Sequence, residues 1–168
     1  MSVEQEKSLM TLEKLEALLE LRRVFFVESS SRRWNSGIGE EEVPPASTAR
    51  DLQVMQTADE ESISVRGRMI VKTPQAVLIA DVVAVFSIEE NDDDKNSGKI
   101  EEVELSADLM REFAERVAVP ILFPFIRESI YGGARKIGVK PPVLGILRHG
   151  SVSLKKIPEP FGPSGDQR

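Results

Sequence analysis

The sequence predicts an α+β fold, an antiparallel sheet carrying helices on one face, and three observations predict it. Ser62 to Lys72 alternates cleanly: Ile63, Val65, Gly67, Met69 and Val71 point one way, and Ser64, Arg66 and Arg68 the other. A period of two residues marks a strand with one buried face. The turns on either side, Ala58 to Glu60 and Thr73 to Gln75, are short enough to join antiparallel neighbours. The third observation is a very apolar helix opening at Pro120. Leu122, Ile126, Ile130, Ala134 and Ile137 form one stripe, which Ile121 and Phe125 widen.

Taken in order, residues 1–21 read as an amphipathic N-terminal helix. Leu12, Leu15, Leu18 and Leu19 recur at helical spacing, with Glu13, Glu16 and Glu20 on the other side. Residues 22–150 then form a single α+β domain. Val24, Phe25, Phe26 and Val27 are strongly β-prone, and Ser29 to Arg33 carry that strand out to an edge. A loop with Gly37, Gly39, Glu40 to Glu42, Pro44 and Pro45 is long enough to cross the fold. Strand-like runs follow at Ala49–Thr57, Ser62–Lys72 and the almost continuously apolar Ala76–Ile88. Glu89 to Glu104 is an acidic loop whose Asp92 to Asp94 lack the spaced ligands of an EF-hand. Ser106 suits a helix N-cap ahead of Leu109, Met110, Phe113 and Val117. Pro120 and Pro124 suit a first helical turn, and Gly138 suits the left-handed position after a last one. Residues 141–147 read as extended. The tail 151–168, with Pro158, Pro160 and Pro163, is expected to be disordered.

Composition narrows the function. A chain of 168 residues with 40% hydrophobic and 30% charged residues can bury a substantial core. Its net charge of −6, with no concentrated basic face, argues against a nucleic-acid partner. There is no cysteine, which excludes disulfides, thiolate metal sites and cysteine nucleophiles. No apolar run is long enough for membrane insertion, and the acidic N-terminus does not read as a signal peptide, so a cytoplasmic protein is expected. His149 is the only histidine, with no nucleophile beside it, and Gly132-Gly133 lacks a phosphate-loop pattern. Neither an enzyme nor a cofactor is expected.

Pro120, Leu122-Phe123-Pro124-Phe125 and Arg127-Glu128 resemble the P-x-x-L-F-P-[YF]-x-R-E run of the SecB family of export chaperones. Val85-Phe86-Ser87-Ile88 is similar to that family's Ile-Phe-Ser-Ile, and Pro141 to Leu144 to its Pro-x-Leu-x-Leu segment. The resemblance covers roughly residues 22–147. It implies a four-stranded antiparallel Greek-key sheet with a long crossover loop, and an ATP-independent holdase that binds unfolded polypeptides. Three departures stand out. Val82-Val83-Ala84 replaces the family's paired glycines, its second helix is not recognisable, and the N-terminal helix is extra. These departures resemble the divergent SecB-like chaperones attached to toxin–antitoxin systems, so the expected client is either export substrates handed to SecA or an antitoxin.

The resemblance also implies where to look. Clients are expected at Trp34, Ile38, Val43 and Phe26, beside the charged rim of Glu40 to Glu42. Assembly into a tetramer, a dimer of dimers, is expected through an exposed strand edge and through the helix, with Leu122, Phe125, Ile126, Arg127, Glu128 and Ile130 at the subunit interface. Asp81 stands for the family's acidic SecA contact. The competing expectation is a non-chaperone oligomeric scaffold built on the same fold.

Overall fold

The computed structural model describes residues 10–34, 43–59, 61–88 and 105–145. Helix α1 spans Leu12–Leu18 and strand β1 Leu19–Arg33; β2 is Ala49–Ala58, β3 Ser62–Lys72 and β4 Ala76–Ile88. A last helical run comprises α2, Ala107–Phe113, a π-helical turn, Ala114–Ala118, and α3, Val119–Lys136. The Ile38 expectation and the readings of the Glu40–Glu42 rim, the acidic loop, His149 and the tail lie outside the described residues.

All pairings are antiparallel, in the order β1-β4-β3-β2. Three consecutive strands form hairpins and the first returns beside the last, which is a Greek key. The β3 alternation holds throughout. Ile63, Val65, Gly67, Met69 and Val71 lie opposite Phe86, Ala84, Val82, Ala80 and Leu78 of β4, and this face carries the helices. Leu122, Ile126, Ile130 and Ala134 of α3 are buried against it, and Phe113 meets Phe86 edge-on with ring centroids 5.0 Å apart.

Two glycines let the helix sit low on the sheet. A Cβ on Gly67 would stand 3.2 Å from Ile126 Cδ1, and one on Gly133 would stand 3.2 Å from Ser31 Cβ. Ser29 and Ser129 hydroxyls bond at 2.8 Å along the same seam. The helix ends as its sequence suggests. Gly138 takes φ +67, and the Arg33 guanidinium donates to the Ile137 and Gly138 carbonyls at 2.8 and 2.7 Å. A cation there complements both the free carbonyls and the helix dipole.

Two boundaries differ from expectation. The N-terminal helix stops at Leu18, and Leu19 to Leu21 belong to β1, because pairing with Phe86 to Ile88 outweighs a leucine spacing that would otherwise continue the helix. Pro120 stands in the first turn of α3, as expected, whereas Pro124 lies inside the helix. They fall within one helical run, in which Val119 N–H reaches back five residues to the Ala114 carbonyl. Pro120 has no N–H for an ordinary bond to Arg116, and the wider turn takes up its ring.

The other face of the sheet carries no helix among the described residues, yet it holds a buried charge. Asp81 is 0% exposed. Arg66 grips it through Nε and Nη2 at 2.7 and 2.6 Å, Arg68 Nη1 donates at 2.9 Å, and Arg68 Nη2 meets Glu28 at 2.8 Å. The bond to Asp81 raises the Arg66 pKa above its ordinary value. Removing one partner of such a pair leaves the other charged and unpaired, so Asp81→Ala should cost about 3–5 kcal/mol of stability, read by urea unfolding. A cost under about 1 kcal/mol would mean that the arginines find solvent instead.

Candidate functional site

The exposed large apolar side chains concentrate on one strand. Leu21, Phe25, Phe26 and Val27 follow one another along the first half of β1, an edge strand, and Leu18 ends α1 just before it. The pairing with β4 shifts register between Leu21 and Arg23 and again between Phe26 and Glu28. At each bulge one residue of β1, Arg22 or Val27, falls outside the Cα register; the Arg22 side chain still donates from Nε to Ser87 Oγ of β4 at 2.6 Å. Phe26 opposes Val82 on the helix-bearing face and is 44% exposed; Phe25 opposes Val83 on the other face, with the Arg23 guanidinium 5.0 Å from its ring centroid. The Ser29–Ser129 and Ser31–Gly133 contacts align α3 with β1, so the exposed Phe125, one turn before Ser129, falls level with Phe26. The result is an apolar strip bounded by Glu20, Arg22, Arg23 and Glu28 beside unpaired backbone groups. An open strand edge with apolar side chains suits an extended polypeptide: its N–H and C=O groups pair, and the side chains bury apolar area.

The expected client residues do not form one cluster. Trp34 lies eight residues beyond Phe26, roughly 25 Å along the strand at about 3.3 Å per residue. It is half-buried. Its indole Nε1–H donates to the Thr73 carbonyl at 2.7 Å, its backbone N–H donates to Gln75, and Arg32 lies over its ring at 5.5 Å. This anchors the start of the crossover to the β3–β4 turn. Val43 is 89% exposed where the described chain resumes.

The interface expectation narrows. Leu122, Ile126 and Ile130 are buried under this chain's own sheet, so they do not lie on the outer face of α3. Arg127 is half-buried, with its guanidinium 4.9 Å from the Phe123 ring centroid, and Phe125 and Glu128 are the expected residues that remain exposed. The outer face of α3 also carries Pro124 and Gly132, where an added Cβ would meet nothing within 4 Å. Asp81 is corrected as well. It is sealed beneath Arg66 and Arg68 and offers no acidic contact to a partner.

Leu18, Leu21, Phe25 and Val27 were not among the expected site residues. The leucines read as helix, and the bulges break the alternation that would have assigned each phenylalanine a face. The available signal was the β-prone run Val24 to Val27 itself.

No protein-family model matches the chain. A curated relative, the SecB-like chaperone SmegB of Mycolicibacterium smegmatis, is 29% identical over 147 residues, covering 86% of this chain and 88% of its own. The fold is similar to that of the Mycobacterium tuberculosis Rv1957 SecB-like chaperone, solved in complex with a ChAD peptide from the Rv1956 HigA1 antitoxin. Its TM-score is 0.60 at 15% identity, covering 81% of this chain and 92% of that one. Among the described residues, no helix is long and apolar enough to cross a membrane.

Because Thr73 is buried, Trp34→Phe would strip its carbonyl of a donor while keeping an aromatic ring. The expected cost is about 1–2 kcal/mol, measured by thermal unfolding. An unchanged melting temperature would show that water replaces the indole.

Proposed function

We propose that this relative of the SecB-like chaperones is an ATP-independent holdase: it binds unfolded polypeptide on apolar surface and releases it without chemistry. The observation that carries this reading is the apolar strip on the open β1 edge. The similarity to SmegB across most of the chain supports it. Holding a non-native chain needs no catalytic group and no cofactor. It needs apolar surface, with charge at the rim to keep the chaperone itself soluble.

In this reading the backbone of β1 pairs with β1 of a second copy, which lays two strips side by side, and clients meet the exposed side chains rather than the edge backbone. Phe26 of each copy then belongs to one continuous client surface. Trp34 holds the crossover in place. The outer face of α3 joins dimer to dimer, giving a tetramer. Gly132 supports that contact. A glycine there costs about 1 kcal/mol of helix stability relative to alanine, and no packing among the described residues offsets it. A neighbouring helix crossing close by would.

The client we favour is a dedicated antitoxin rather than export cargo. The fold neighbour binds an antitoxin peptide, and Asp81 is too enclosed to serve as a SecA contact. Absence of an enzymatic role and residence in the cytoplasm belong to the same proposal.

The deciding experiment adds purified protein, without nucleotide, to an unfolding protein at a stoichiometric ratio and follows light scattering. Suppression is expected, and Phe26→Ser should weaken it several-fold. No suppression from a well-folded oligomer would overturn the holdase reading in favour of a scaffold. Mass measurement on Gly132→Leu tests the assembly. The tetramer should fall to a dimer while the melting temperature holds or rises, and a variant that stays tetrameric would remove α3 from the interface.

A further inference from the structure

The face of the sheet turned away from the helices presents cations, in a chain whose net charge is −6. Cross-strand pairing fixes its rows. Val77, Ile79, Asp81, Val83 and Val85 of β4 point to this face. Arg32 of β1 and Lys72 of β3 flank Val77, Arg68 stands beside Asp81, Arg66 beside Val83, and Arg23 beside Val85. Val77 and Val83 are buried although no described helix covers them. The stems of the long side chains on either side lie over such floor residues and carry their charged heads outward.

The carboxylates of this face are already answered. Arg22 Nη1 meets Glu20 at 3.1 Å, Arg68 Nη2 meets Glu28 at 2.8 Å, and Gln53 Nε2 donates to Asp51 at 2.8 Å. Asp81 is sealed by Arg66 and Arg68. Two of the cations are not answered. Among the described residues Lys72 meets no carboxylate, and the Arg23 guanidinium has the Phe25 ring but no acid. Both side chains are exposed, and they mark opposite ends of the face. Their partners Val85 and Val77 are eight residues apart on β4, roughly 26 Å at about 3.3 Å per residue. Phe25 is the large apolar side chain exposed between them, so charge and not apolar burial dominates what this face offers. Neither contact of the proposed assembly hides it, because β1 pairs through its edge and α3 lies on the other side of the sheet.

We propose that this open face is a second docking surface, which takes an acidic segment of a partner protein. Its carboxylates meet Arg23 at one end and Lys72 at the other, and it crosses the Arg66 and Arg68 guanidiniums between them. An extended segment of about eight residues spans that distance. The surface is separate from the apolar strip, since Phe26 opposes Val82 on the helix-bearing side. A partner held here leaves the client strip open, so the two can be bound at once.

The test follows the fluorescence anisotropy of a labelled peptide, Glu-Leu-Glu-Gly repeated three times, mixed with the full-length protein. Binding is expected at about 0.05 M salt and should weaken at least ten-fold at about 0.5 M. Lys72→Glu and Arg23→Glu should each weaken it about three-fold, the worth of one exposed ion pair, and together about ten-fold because distant sites act independently. The melting temperature should hold in both, and Lys72→Glu should suppress aggregation as well as the wild type does. Unchanged peptide affinity in the double variant would overturn the assignment. So would equal binding of the Lys-Leu-Lys-Gly counterpart, or of an oligothymidylate of the same charge, which would make the face a general polyanion surface. Loss of the peptide in Phe26→Ser would move it to the client strip and overturn the proposal too. A wild-type protein that ignores the peptide but still suppresses aggregation would overturn this proposal alone and leave the holdase reading standing.

Discussion

The close seating of α3 on the sheet is the constraint on which everything else depends. Gly67 and Gly133 remove the two side chains that would hold the helix off, and Leu122, Ile126 and Ile130 fill the space between. Interiors packed to this density respond to a single added methyl group. Because the inner stripe of the helix is spent on the chain's own core, its outer face and two flanks are left for other molecules. One flank meets β1 at Ser29 and Ser31, and the other meets residues 139–145 through Arg127 and Tyr131. The same seating sets Phe125 of α3 level with Phe26 on the β1 edge.

The opposite face of the sheet faces a different problem, since no described helix covers it. Side chains of neighbouring strands cover it instead, and the Arg66–Asp81–Arg68–Glu28 network organises them. Asp81 is neutralised where it stands, so the centre of this face does not project a carboxylate.

Much of the fold was legible because it is local. The two-residue period of β3, the short turns on either side and the stripe of α3 each follow from neighbours in sequence. The Ser106 cap and the Gly138 terminus follow from backbone chemistry. What was not legible depends on distant partners. Leu19 to Leu21 continue a helical leucine spacing, and only pairing with Phe86 to Ile88 makes them strand. The resemblance made Asp81 an acidic contact, and the arginines that seal it come from a neighbouring strand, β3. The candidate site was legible in part for the same reason. Phe26 and Val43 stand exposed, whereas Trp34 is held by the carbonyl of Thr73, thirty-nine residues away in sequence. Phe25 and Val27 needed the bulges, which sequence periodicity does not reveal.

The bulges at Arg22 and Val27 carry one more consequence. A flat, regular edge strand accepts any other, and a sheet with two such edges polymerises without end, each molecule adding to the last. Here the two edges differ. β2 runs in unbroken register with β3, while β1 bends and twists sharply at two points. In the proposed assembly the bent edge meets its own copy turned by a half-rotation, a pairing that closes on itself after two molecules. A protein whose work is to keep sticky chains apart must not become a fibre of itself, and two inserted residues in its most exposed strand stand against that outcome.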